Sequence, residues 1–404
     1  MKRVFTPVKK KTILLIDDDQ LIIQAHREKL QRHGFKVEVA SNKASALQKL
    51  AEDGVVLVLL DLCLPGMSGV EILKEIRSKF EASALPIIAF VNPYLGNLAR
   101  SALEAGATNC LTKADTSPGK LFDVVRERLT LESPSGAQVE PEFQPELGAL
   151  LLLRAPEILA KLRASHQVLA RTEEEEAQRA ELRGLHQQVR ALAVAGLAGL
   201  GKISQMANAF EALLIELHAK PKKITPSVIR TVAQAIDSLA SLLEQATKSH
   251  SDAPTAPRIL VVDDEIISRE TICSALDKAG LAGVSMDDSL AAQRELEQEY
   301  FDLIFLDVEM PGLTGFELCK KIREMPINRT TPVVFVTAHA DFGSRAQSAL
   351  SGGNDFITKP FLSGELIVKA LACLFKEKPR ATINFPVASA PAVEELAIAS
   401  SSAH

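Results

Sequence analysis

The chain has 404 residues, 47% of them hydrophobic, and a formal net charge of −5. At roughly 100–200 residues per domain this allows about two to four folded units and excludes global disorder. The negative balance argues against nucleic acid as a partner, and the five cysteines, scattered without a CxxC, fit a reducing compartment without structural zinc.

The start, Met1 to Phe5, is basic but lacks the apolar stretch of a signal peptide. The longest apolar run, Val55 to Leu60, is too short to span a bilayer, so we expect a cytoplasmic protein without membrane insertion. Ile13–Ile16, Val37–Ala40, Val55–Leu60, Ile87–Val91 and Asn109–Thr112 read as five buried strands. Amphipathic stretches such as Leu21–Gln31 and Val70–Phe80 lie between them, which implies a parallel sheet covered on both faces over residues 12–131. A Pro/Ser/Gly-rich linker is expected at 132–145. Residues 146–247 read as four antiparallel helices, each with one apolar stripe. Pro156 is expected to open one helix, Thr172 to cap another, and Thr225-Pro226 to start the last. After a second linker at 248–257, residues 258–377 repeat the strand–helix alternation, and 378–404 read as a disordered tail.

The two α/β segments share a displaced set of residues. Asp17-Asp18 recurs as Asp263-Asp264, 246 positions on. The same offset carries Asp61 to Asp307, Pro65 to Pro311, Gly69 to Gly315, Pro86 to Pro332 and Lys113 to Lys359. In each copy two acids follow the first strand, a third follows the third strand, and the lysine follows the fifth. In an open parallel sheet those positions gather at the carboxyl edge, where ligands bind. Three carboxylates that close together need a cation, and an all-oxygen site suits Mg2+. A lysine suits a point contact to a phosphoryl oxygen.

This set resembles the receiver domain of two-component response regulators, over about 120 residues in each copy. In the second copy the resemblance runs through Asp263-Asp264-Glu265, Asp307-Val-Glu-Met-Pro311-Gly312, Thr337-Ala338 and Lys359-Pro360-Phe361. It implies a flavodoxin-like fold: two doubly wound five-stranded parallel-sheet domains around an all-α four-helix bundle. It further implies Asp307 as phosphoacceptor, with Mg2+ on Asp263, Asp264, Asp307 and the Glu309 carbonyl. Thr337 and Lys359 would bond the phosphoryl oxygens, and Phe356 would be the aromatic that moves in response. In the first copy Asp17, Asp18, Asp61 and Lys113 are kept, which leaves two readings open: metal binding with an acyl phosphate on Asp61, or a pseudo-receiver kept for docking. But Val91 replaces the threonine, Cys110 the switch aromatic, and Ala114 the proline after the lysine.

The middle resembles a histidine-phosphotransfer domain through Ala191-Leu-Ala-Val194-Ala-Gly196-Leu-Ala-Gly199-Leu200-Gly201 and Phe210-Glu211. That register puts Ala191 at the phosphohistidine position and Val194 at the lysine position, so the bundle is expected to dock or dimerise rather than carry phosphate. His186, beside Leu182, Leu185 and Val189, reads as a partly buried structural histidine. No DNA-binding, cyclase or phosphodiesterase segment is recognisable after the second receiver, so output is expected through protein contact, onward phosphotransfer or a phosphate-sink role. The implied function is a phosphorelay response regulator that accepts phosphate from a histidine kinase or phosphotransfer protein and acts on a downstream protein partner. The competing class is a scaffold that docks such kinases without accepting phosphate.

Overall fold

The computed structural model describes residues 11–52, 54–64, 67–113, 116–129, 144–247, 256–338 and 350–376. Pro65, Ala114, most of both expected linkers and the expected tail lie outside the described residues.

The first α/β domain runs β1 (Thr12–Ile16), α1 (Gln20–Arg32), β2 (Lys36–Ala40), α2 (Lys43–Leu50), β3 (Val55–Asp61), α3 (Gly69–Arg77), β4 (Ile87–Val91), α4 (Gly96–Glu104), β5 (Asn109–Thr112), α5 (Pro118–Arg128). Its strands are all parallel, in the order β2-β1-β3-β4-β5. Helices on both faces explain why β1 and β4 are buried at every position, and apolar at all but Thr12, rather than alternating. The order reverses between β1 and β3, so the ends of these strands frame a crevice at the carboxyl edge.

Four helices follow: α6 (Gln144–Leu169), α7 (Glu175–Ala193), α8 (Gly201–Ala219) and α9 (Pro226–Thr247). Two starts differ from expectation. Pro156 does not open a helix but lies inside the 26-residue α6. It removes the N–H that the Leu152 carbonyl would accept; Pro156 is exposed and Leu152 only partly buried, so water can serve instead. Thr172 does not cap α7. The helix begins at Glu175 after an uncapped Glu174, and the Thr172 carbonyl accepts from Gln178 Nε2 at 2.8 Å. Thr225-Pro226 does start α9, with Thr225 Oγ1 accepting from the Val228 N–H at 3.3 Å.

The second α/β domain comprises β6 (Ile259–Val262), α10 (Ile266–Lys278), β7 (Gly283–Met286), α11 (Ser289–Gln298), β8 (Leu303–Asp307), α12 (Gly315–Glu324), β9 (Val333–Thr337), β10 (Asp355–Thr358) and α13 (Ser363–Leu374). Its five parallel strands take the same arrangement, β7-β6-β8-β9-β10.

The middle helices do not stand apart. Leu213 and Leu217 of α8, Ile236 of α9, and Leu366, Ile367 and Leu371 of α13 belong to one continuous core that also takes in Ile259 and Val261. Helix α13 lies so close to α8 that a Cβ on Gly364 would sit 2.7 Å from the Leu213 Cα. Polar pairs line the same contact. Buried Glu365 accepts from Ser227 Oγ at 2.7 Å, and Gly364 N–H donates to Glu216 at 3.1 Å. Lys369, fully buried, pairs with Asp355 at 2.7 Å and reaches Gln234 of α9 at 3.2 Å. The guanidinium of Arg230 lies over the Phe356 ring, 4.5 Å from its centroid.

In the first domain, His26 is buried against the Phe90 ring, with neither ring nitrogen hydrogen-bonded among the described residues. Burial, with Lys113 adding to it, lowers its pKa to about 3. The unfolded chain binds that proton near pH 6.5, so stability is complete above this value and falls as pH drops towards 3. At about 1.4 kcal/mol per pH unit, the loss near pH 5 is roughly 2 kcal/mol. A His26→Leu chain should show a shallower acid limb in thermal melts between pH 7 and 5, and an unchanged limb would refute this role.

Candidate functional site

In the second α/β domain the repeated residues meet at the carboxyl edge of the sheet. Asp263 follows β6, Asp307 ends β8, Thr337 ends β9 and Lys359 follows β10. Lys359 Nζ lies 2.9 Å from Asp263 Oδ2 and 3.1 Å from Asp307 Oδ2. Asp263 is fixed further: its Oδ1 accepts from the Glu265 N–H at 2.9 Å, and its Oδ2 accepts from Ser268 Oγ. Thr337 is buried, and its carbonyl accepts from the Lys359 N–H at 2.7 Å. The Lys359–Pro360 peptide is cis. Gly315 is required by close approach, since a Cβ there would lie 2.1 Å from the Asp307 carbonyl oxygen.

Burial, and the neighbouring Asp263, raise the pKa of Asp307, against the pull of Lys359. Burial would lower the pKa of Lys359, but its bonds to Asp263 and Asp307 outweigh this and raise it. Asp263, Asp264 and Asp307 each present an oxygen within 4.8 Å of the others. Asp264 is exposed and has no ion pair among the described residues. This hard, all-oxygen set with one open side fits Mg2+.

The first α/β domain assembles the same parts. Lys113 Nζ lies 2.6 Å from Asp17 Oδ2 and 2.9 Å from Asp61 Oδ2, and Asp61 Oδ1 accepts from the Cys63 N–H at 3.0 Å. Asp17, Asp18 and Asp61 converge as their counterparts do. Val91 lines the pocket where its counterpart Thr337 carries a hydroxyl. Here, however, a residue of the helical middle enters. Arg190 of α7 donates to Asp18 and Asp61 in short bonds and to Asp17 at 3.2 Å. Its Nε lies 3.7 Å from Glu211 of α8, which is itself held by His186 Nε2 at 3.1 Å and Asn92 Nδ2 at 2.7 Å.

The charges respond accordingly. Burial pushes Asp17 up to about 6, helped by Asp61 and opposed by Lys113 and Arg190. Burial also acts to raise Asp61, but Lys113 and Arg190 outweigh it and hold that carboxyl at about 2. Arg190 is 5% exposed. Burial opposes its charge, yet Asp61, Asp17 and Glu211 raise its pKa well above the usual value.

Ten site residues were expected from the sequence, and both clusters of three acids and a lysine do come together. Sequence reasoning missed Arg190, Glu211, Asn92 and Arg230. A signal for two of them exists, because Arg190 and Glu211 interrupt the buried stripes of α7 and α8. His186 is buried, as expected.

Comparison with known proteins agrees with this geometry. A sequence model of the response regulator receiver domain matches residues 13–126 and 259–371. The phosphate regulon transcriptional regulatory protein PhoB of Escherichia coli K12 is 36% identical over 126 residues, 31% of this chain and 55% of PhoB. The chain thus spans about half the length of that relative. The chemotaxis response regulator CheY4 of Vibrio cholerae is 28% identical, covering 30% of this chain and all of CheY4, with a TM-score of 0.29. The receiver domain of sensor histidine kinase PA1611 from Pseudomonas aeruginosa PAO1, solved with magnesium in its active-site cleft, is 29% identical over 29% of this chain and 98% of that domain, with a TM-score of 0.28. With two matched segments that together make up more than half its length, the chain belongs to the response regulator receiver domain family.

Proposed function

We propose that the protein is a phosphorelay response regulator whose phosphoacceptor is Asp307 in the second receiver. The observation that carries this reading is the convergence of Asp263, Asp307, Thr337 and Lys359 on one sheet edge with an open, acidic side. The donor is a phosphohistidine of a histidine kinase or phosphotransfer protein. An Asp307 carboxylate oxygen attacks phosphorus, the phosphorus–nitrogen bond breaks, and its electron pair leaves with the imidazole. Mg2+ on Asp263, Asp264, Asp307 and the Glu309 carbonyl would supply charge neutralisation for the transferring group. Lys359 and Thr337 hold the phosphoryl oxygens, and Ser268 orients Asp263.

Output runs through protein contact, beginning with the chain's own helices. Phe356 and α13 already rest on α8 and α9, so a change at Thr337 has a mechanical neighbour. In this reading α6–α9 form a phosphotransfer-like bundle without an acceptor, since Ala191 takes the histidine's position and His186 is buried.

Intact mass after Mg2+ and a small phosphodonor such as acetyl phosphate tests the assignment. The wild-type chain should gain one phosphoryl group, and Asp307→Asn should gain none. Undiminished labelling of Asp307→Asn would move the acceptor elsewhere. No labelling of the wild type by acetyl phosphate or by a phosphorylated phosphotransfer protein would favour a docking scaffold.

A further inference from the structure

The two receivers present the same edge to different surroundings. In the second, Ile266 and Ile267 beside the acidic site are 59% and 70% exposed. Their counterparts by the 246-residue offset are Gln20 and Leu21, and Leu21 is 9% exposed. Leu21 and Ile22 join the core formed by α7 and α8. Gln20 stays exposed, so the helical domain covers, on the first receiver, the part of this face around Leu21 that the second leaves open at Ile267.

At the centre of that covered face is Arg190. Its guanidinium meets all three carboxylates that would ligate a metal, and Glu211 braces it from behind. An arginine keeps its charge at any accessible pH and offers five N–H donors in a planar fork. A hexacoordinate divalent ion needs the same oxygens. The two cations cannot share them. The space beyond Asp61, bordered by Val91 and Lys113, is also lined by Ala193, Asn208 and Glu211 of the helical domain. Asn92, next to the position lacking its threonine, bonds the Asn208 carbonyl at 2.8 Å as well as Glu211. Residues around the acceptor position thus bind protein instead.

We infer that Arg190 takes the place of the divalent cation in the first receiver, so that this receiver is a docking module for the helical domain and not a second phosphate acceptor. The inference rests on the reading above only in taking Mg2+ as the cation displaced.

The test uses the full chain and Mn2+ as a paramagnetic probe. Asp264→Ala removes the site of the second receiver. That variant should bind no Mn2+ at concentrations that saturate the wild type. Adding Arg190→Ala should create one site, which a further Asp17→Ala removes. Because a ligand that binds only the folded state stabilises it, Mn2+ should also raise the melting temperature of Asp264→Ala/Arg190→Ala, even if that variant starts lower. Mn2+ binding to Asp264→Ala that disappears with Asp17→Ala would overturn the inference. So would an Arg190→Ala chain that gains neither binding nor stabilisation. A wild type that binds no Mn2+ would count against the second receiver's metal site, while the comparison of the two variants would still decide the role of Arg190.

Discussion

Lys369→Met should cost about 3–5 kcal/mol of stability, because removing one member of a buried ion pair leaves the other charge unsolvated. Lys369 is fully buried in α13, 2.7 Å from Asp355 and 3.2 Å from Gln234 of α9. The pair sits where the second receiver meets the helical domain, so its loss should loosen both together. Urea unfolding of the full chain, followed by circular dichroism, measures the effect. The double variant Lys369→Met/Asp355→Asn should recover more than half of the loss, since neither charge of the pair then remains. A single variant within about 0.5 kcal/mol of wild type, the ordinary range for surface substitutions, would show that the orphaned Asp355 carboxylate reaches water.

Beryllofluoride, a phosphoryl mimic, should alter amide hydrogen exchange in β10 and in α9 around Arg230, and leave the region of Cys110 unchanged. A ligand shifts a conformational equilibrium only by interacting differently with the two states. Thr337 supplies a hydroxyl that can follow the phosphoryl group, and Val91 does not. Phe356, the ring proposed to respond, lies beneath the Arg230 guanidinium. A cation–π contact of this kind is worth about 0.5–2 kcal/mol, so its rupture or tightening is large enough to register in exchange. Arg190 adds a second reason for silence in the first receiver, because its acceptor carboxylate is already engaged. Equal changes near Cys110 and Phe356 would mean that the first receiver responds by a route that needs no threonine.

Much of this was legible without coordinates. The strands were readable because buried parallel strands are continuous apolar runs, as in Val55–Leu60. The acidic clusters were readable because topology carries strand ends to one edge. What escaped was the relation between units. Arg190 looked like an ordinary residue near His186, since its partners lie more than a hundred positions away, in another domain. The docking of α13 did leave a trace. Its run Leu366-Ile367-Val368-Lys369-Ala370-Leu371 is apolar nearly all round, and such a helix is buried on more than one side. The start of α7 failed for a local reason. Four consecutive glutamates after Thr172 offer several equivalent registers, and packing rather than capping selects Glu175.

The covered face of the first receiver also sets terms for any competitor. The receiver and the helices that seat Arg190 belong to one chain, joined through residues 130–143. Covalent attachment makes docking an intramolecular event, for which effective concentrations reach the order of millimolar. A free phosphotransfer protein at micromolar levels therefore starts roughly a thousandfold behind for this surface. The open face beside Ile266 and Ile267 carries no such handicap. On the phosphorelay reading proposed above, mass action alone would direct an incoming phosphodonor to the second receiver before any difference in chemistry between the two sites is felt.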